Sequence, residues 1–313
     1  MAGFDQSIAR TDVPIPETVS SEIIQELPKA SVLLSRARRA RMSTKTMKQP
    51  VLSTLPDAYW LSGDTSLKQT TKAAWTNLTI TAEELAVLVP IPNAVVDDTS
   101  IPVWDEVRPL LVEGIGKKVD QAGIFGVDKP SSWPTAIVPA AVAAGNSVAA
   151  GTGADFGVDV ATVAGLVAED GFSVNGFASR PGLKWKLVGM RDASGALVYS
   201  PSMVEGQPDR LYGYNLDEVL NGAWDADEAE LLAADWTKFV VGIRQDFTFD
   251  LFDQMVISDD DGKVIFNAAQ QDSKVMRVVF RVGFQVANPV TRVNTNGATR
   301  YPAGVVVPDD GVA

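Results

Sequence analysis

The sequence predicts an α+β chain: a mixed core of strands and one long helix, carrying two projecting segments that cannot fold alone. Three observations predict it. Long apolar-rich runs suited to strands occur at 239–257 and 274–286. Apolar residues repeat at helical spacing through Trp104, Val107, Leu111, Ile115, Val119 and Ala122. Two stretches, 1–16 and 57–80, hold few core-forming residues. The 313 residues are 46% hydrophobic, enough for one large or two medium cores, and 25 Gly with 18 Pro imply many turns.

Taken in order, residues 1–16 are polar and end in Val13-Pro-Ile-Pro16, which favours an extended arm. Thr18 or Ser20 can cap a short helix to Leu27, stopped by Pro28. Residues 31–54 mix apolar and basic residues and read as strand pieces. Residues 57–80 read as a long two-stranded flap with a Gly- and Ser/Thr-rich tip, followed by the strand Leu85–Pro92. An isolated hairpin is marginal in water, so a flap of this length implies a partner surface. Asp97 to Pro102 suits a helix start, and a helix of about 22 residues follows. Pro109 inside it costs roughly 3 kcal/mol or imposes a kink, so packing must hold it. Residues 126–155 are a Gly-, Ala- and Pro-rich entry to a second unit, 159–168 reads as a short helix and 183–188 as a strand. Asp192–Gly195 and Asp259–Gly262 read as turns, and the tail from Asn294 is polar.

Composition narrows the chemistry. There are no cysteines and no histidines, which excludes disulfides, thiolate zinc sites, a Cys nucleophile and every Ser-His triad. Carboxylate-only hydrolysis or a carboxylate-bound Mg²⁺ site stays open. No apolar run reaches the roughly 18 residues that span a bilayer, and the start lacks an apolar signal core, so a cytosolic, membrane-free setting is expected. Asp259-Asp-Asp-Gly262 lacks the alternation of a calcium loop and has Ala268 where that loop needs Glu; Gly151-Thr-Gly153 lacks the Lys of a phosphate loop.

The charge is -12 and uneven. Between Glu26 and Asp57 there is no acid, and Arg36, Arg38, Arg39 and Arg41 form a basic cluster expected at an inner surface or subunit seam. Between Arg210 and Lys238 there is no base. The acids there, Asp217, Glu218, Asp225, Asp227, Glu228, Glu230 and Asp235, read as an exposed face. Opposite blocks suit complementary surfaces; two solvated faces are the alternative. Trp60 and Trp75 flank the flap tip as interface or hairpin-pairing residues.

Several stretches, in order, resemble one family. Asp57-Ala-Tyr-Trp-Leu-Ser-Gly-Asp64, Trp75-Thr-Asn-Leu-Thr-Ile80 and Leu85–Asp98 are similar to an extended loop and the strand entering a spine helix. Asp105–Gly126 resembles that helix, with Ile124-Phe-Gly126 at its end. Leu187–Tyr199, Ser200-Pro-Ser202, Gly206–Asp209 and Leu211–Tyr214 resemble an axial-domain stretch, and Arg277–Pro289 the closing strands. The family is the major capsid proteins of tailed double-stranded DNA bacteriophages, with the Hong Kong 97-type fold.

The resemblance implies a structural subunit, not an enzyme, that needs no cofactor or metal. It divides the chain into an N-terminal arm and short helix (1–30), peripheral-domain strands (31–56), extended loop (57–81), peripheral domain with spine helix (82–127), axial domain (128–257), peripheral-domain strands (258–296) and C-terminal tail (297–313). Copies would form pentamers and hexamers of an icosahedral virion shell, assembled in the host cytoplasm around DNA held by weak non-specific contact. The arm leaves no room for a fused scaffolding domain, which implies a separate scaffolding protein, with a portal and a decoration protein as further partners. A bacterial nanocompartment shell and a carboxylate-dependent enzyme are the alternatives. In one branch of the family a loop Lys bonds covalently to a neighbour's Asn, helped by a buried Glu. Lys68 and Lys72 match the donor and Asn288 the acceptor, but the Ser/Thr/Gln-rich tip keeps a Lys solvated, so a non-covalent contact through Gly63, Asp64, Lys68 and Lys72 is expected.

Overall fold

The computed structural model describes residues 31–60, 70–93, 103–189, 199, 209–259 and 261–309. The expected arm and its short helix, the tip residues Gly63, Asp64 and Lys68, and the turn at 192–195 lie outside the described residues.

Ser31 caps α1 (Val32–Arg36), its Oγ accepting from Leu34 N at 3.1 Å. β1 (Arg38–Arg41), β2 (Thr46–Thr54), β3 (Ala74–Thr81) and β4 (Glu83–Pro92) follow. α2 (Val103–Asp120) runs on through Pro109 and ends in a wider π turn, Gln121–Phe125. Gly126, at φ 85°, closes that turn with its N–H on Gln121 O. The expected apolar face is the buried one, at Ile115, Val119 and Ala122. Next come α3 (Ile137–Ala144), β5 (Ser147–Ala149), α4 (Phe156–Glu169), β6 (Gly176–Ser179), α5 (Leu183–Gly189), β7 (Arg210–Leu211), β8 (Tyr214–Glu218) and β9 (Leu231–Ala234). The chain closes with β10 (Phe239–Phe252), β11 (Val256–Ser258), β12 (Val264–Asn267), β13 (Ser273–Val286) and β14 (Ala303–Val307).

Two main sheets result. One has the order β1-β10-β13-β4, with β1 parallel to β10 and the other pairs antiparallel. The other has the order β5-β14-β9-β6-β8-β7. One apolar core joins them: α1 and α2 pack with Phe239, Phe280 and Phe284 of the first sheet and Leu232, Ala234 and Val305 of the second. Leu231, Ala233 and Val306 alternate to the other face, against Val160, Val163 and Val167 of α4. Each such buried aliphatic side chain contributes about 1.5–3 kcal/mol.

β2 and β3 form the flap, an antiparallel hairpin running from the Thr46↔Thr81 pair to Thr54↔Ala74. Its root lies on the first sheet where two glycines, Gly242 and Gly283, face each other in register. A Cβ on Gly283 would stand 2.6 Å from Thr81 O and 2.9 Å from Ile80 Cγ2. Only hydrogen fits there, and Ile80 fills the space with no exposure.

Five expectations change. Residues 31–54 open with a helix, because Ser31 and a distant carboxylate cap it. The outgoing flap strand starts at Thr46, within the segment taken as peripheral strands. Residues 183–188 are helical, since Leu183 and Leu187 point together into the α4 core. β10 belongs with β13, so the second unit ends before Phe239 rather than at 257. The tail holds β14, buried on both faces between β5 and β9.

Candidate functional site

Among the described residues the flap exposes two tryptophans. Trp60 is fully exposed, and Trp75, cross-strand from Leu52, is 67% exposed. Lys72 is exposed on the returning limb. Arg292 braces the outgoing limb by donating from Nη2 to Pro56 O at 2.8 Å and from Nη1 to Asp57 at 3.1 Å. Beneath the hairpin lies a cleft of about 330 Å³, lined by Leu52, Leu78, Val286, Asn288, Val290 and Arg300 among others. Asn288 spends both amide atoms on Arg300: Nδ2 donates to Arg300 O at 2.7 Å, and Oδ1 accepts from Arg300 Nε at 2.9 Å. That amide is already committed within its own subunit.

The four arginines do not form one cluster. Arg36 turns to β8 and makes a two-point pair with Asp217, at 2.5 and 2.8 Å, joining the two sheets. With its amide oxygen turned inward, Asn215 also accepts from Arg36, at 3.1 and 3.2 Å. Arg39 donates from Nε to Leu34 O at 3.1 Å. Arg38 and Arg41 are exposed on β1, an outer strand of its sheet. Neighbours in sequence thus part company because Arg36 still belongs to the helix end and Arg39 reaches back to that helix's carbonyl.

The acidic block is likewise not one exposed face. Only Asp227 and Glu228 are exposed. Burial and the nearby Asp225 hold the Glu228 carboxyl above its usual range. Asp217, Glu218 and Asp225 are half-buried. Glu218 accepts from Lys184 N at 2.9 Å. Glu230 is buried between Arg180 at 3.3 Å and Lys186 at 3.1 Å. Asp235 is buried and accepts from Asn175 Nδ2, Thr237 N and Thr237 Oγ1. These acids cap turns and close pairs inside their own subunit, which is why burial does not strand them.

Sequence reading missed Asp120. It lies at the end of α2, fully buried. Its Oδ1 accepts from Ser31 Oγ at 2.6 Å and Leu33 N at 3.0 Å; its Oδ2 accepts from Asn221 Nδ2 at 2.8 Å and Val32 N at 3.1 Å. Burial pushes its carboxyl up, against the four donors. No periodic signal marked it: Asp120 follows Val119 directly, about 100° round the helix and off the apolar face read from the sequence.

Among the described residues no group of three or more carboxylates could hold a metal ion, and no helix is long and apolar enough to cross a membrane. The geometry describes a subunit with two docked sheets, a projecting hairpin and charged sheet edges. Comparisons agree. Residues 11–291 match the phage capsid family. The chain is 24% identical over 289 residues to the major capsid protein of Staphylococcus phage 80alpha, covering 89% of this chain and 83% of that protein. A solved chain from Microbacterium phage Oxtober96 superposes with TM-score 0.79 at 36% identity, covering 97% of this chain and 96% of that one. One from Mycobacterium phage Cain gives 0.78 at 35%, covering 90% of each. With the match spanning most of its length, and with the Hong Kong 97-type fold of phage major capsid proteins, the chain belongs to the phage capsid family.

Proposed function

We propose that copies of this chain assemble as pentamers and hexamers into the icosahedral head of a tailed phage, enclosing double-stranded DNA. The observation that carries this reading, beside family membership, is the hairpin β2–β3. It carries Trp60 fully exposed, a surface suited to cover by another subunit. In this reading the first sheet with α2 is the peripheral domain, the second sheet the axial domain, and the hairpin the extended loop. The nanocompartment alternative is not favoured, since the named relatives are phage proteins. A shell of net charge -12 per subunit holds DNA weakly and without sequence preference. A separate scaffolding protein, a portal and a decoration protein complete the expected partners. We assign no catalytic role.

Electron microscopy of the expressed chain, alone and with its scaffold, tests the reading. Closed shells are expected. Deleting 63–72 should leave a soluble, folded subunit that no longer closes shells, because the tip adds little to the monomer's core. Monomers only, under every salt and scaffold condition, would sink the proposal; normal shells from the deletion would remove the loop's role.

A further inference from the structure

We propose that the four-stranded sheets of adjacent copies meet edge to edge, the basic β1 of one subunit against the acidic start of β4 in the next. The inference rests on the shell reading above and names the contact that reading requires. β1 and β4 are the two outer strands of this sheet. β1 carries Arg38 and Arg41, both exposed; β4 begins Glu83-Glu84, of which Glu84 is held by Arg281 of its own subunit at 2.6 and 2.9 Å, leaving Glu83 as the edge carboxylate. The registers connect the two ends: Arg41 pairs with Ile243, Ile243 with Val282, and Val282 with Glu83. One lateral row of the sheet therefore has a cation at one edge and a carboxylate at the other, three strand spacings or about 14 Å apart.

Strand direction agrees. β1 runs parallel to β10; β10 and β4 are both antiparallel to β13. β1 and β4 thus point the same way, and a neighbour placed alongside in the same orientation sets β1 parallel to β4 at matching height. A two-fold contact would instead oppose β1 to β1 or β4 to β4, arginine on arginine or glutamate on glutamate. The edges favour the head-to-tail join that generates rings and disfavour the closed dimer.

Glu83 has room for the incoming guanidinium. Its Oε1 accepts from Ser132 Oγ at 2.7 Å, while among the described residues Oε2 is approached by the exposed Lys45 at 3.7 Å. A cleft of about 170 Å³ opens beside it, lined also by Glu84, Lys118, Asp128 and Trp133.

The test uses charge reversal in the full chain: Arg41→Glu, Glu83→Arg, the double variant, and an equimolar mixture of the two single variants. Assembly is read by sedimentation and electron microscopy, folding by urea midpoint. Each single variant should fold normally but need about tenfold more protein to assemble, about 1.4 kcal/mol per junction. The double variant should recover. So should the mixture in six-membered rings, where the variants can alternate; five-membered rings keep one mismatched junction. Arg41→Gln and Glu83→Gln should weaken assembly in the same direction if a reversed variant fails to fold. Single variants assembling like the natural chain would overturn the join, as would a double variant no better than either single one. If the natural chain itself forms no shells, the shell reading fails instead.

Discussion

Replacing Asp120 with Ala should cost about 3–5 kcal/mol, the range for stranding groups around a removed buried charge. The carboxylate accepts four hydrogen bonds, from Ser31, Val32, Leu33 and Asn221. Each bond to a charged acceptor contributes about 1.5–3 kcal/mol, so the gross loss is about 6–12. Opposing it is relief of the carboxylate's own desolvation, several kcal/mol, which is what holds its pKa up. The difference still destabilises, because α1 loses the cap on two N–H groups and its tie to α2. Asp120→Asn keeps one acceptor oxygen but turns an NH₂ toward Val32 N–H or Asn221. Asn221 cannot simply reverse its amide, since its Oδ1 accepts from Ala223 N at 3.0 Å. About 2–3 kcal/mol is expected, roughly two charged hydrogen bonds less relaxation. Urea unfolding of the unassembled subunit, followed by tryptophan fluorescence, should order the midpoints natural, Asn, Ala with unchanged slope. Variants within about 0.5 kcal/mol of the natural chain would refute the reasoning, by showing that desolvation cancels the hydrogen bonds.

The same residue predicts a pH effect. Its folded pKa is raised, so its stabilising share is fully present below the unfolded value of about 3.9 and is lost as pH rises through the folded one. The stability gap between the natural chain and Asp120→Asn should be widest in acid and narrow toward neutral pH; a gap constant with pH would contradict the raised pKa. Gly283→Ala should cost about 1–3 kcal/mol by overpacking, less what the lost glycine entropy returns, and should loosen protease protection at Thr81. Unchanged stability and proteolysis would mean the flap root yields freely. A double-mutant cycle on Arg36→Ala and Asp217→Ala, read by urea midpoints, should give a coupling of about 1 kcal/mol, as the pair is two-pointed but a quarter exposed. Additive effects would show that this contact does not join the sheets.

Much of the fold was legible where one period dominated. The α2 face repeats without ambiguity, and the alternation in Ala74–Thr81 marks a strand. Leu183-Lys-Trp-Lys-Leu-Val188 fits both periods: Leu183, Trp185 and Leu187 alternate like a strand, yet Leu183 and Leu187 are also four apart. Packing decided it, burying the two leucines and leaving Trp185 70% exposed. β14 gave no alternation because both its faces are buried, and its Val run between Pro302 and Pro308 looked like a tail. α1 has a local cap in Ser31, but the carboxylate that holds Ser31 in place is 89 positions away, which no local window contains. The arginines and acids were visible as blocks, but the partner of each was set by which strand face it occupied.

That last point bears on how a chain of net charge -12 can crowd against copies of itself. Like charge opposes association unless opposite charges meet locally. Most of the acidic block is spoken for, since Asp217, Glu230 and Asp235 are engaged within their own subunit and Glu218 accepts from Lys184 N, which leaves Asp227 and Glu228 exposed. Arg36 is engaged as well. Among the described residues Arg38 and Arg41 have no such acid facing them; both sit on an outer strand, and the row of Arg41 ends in Glu83. An edge arginine also discourages stray strand pairing, and that role alone would tolerate any charge at position 41. Reversing Arg41 separates the roles: a mere guard works as well with Glu, whereas a junction fails until Glu83 is reversed too.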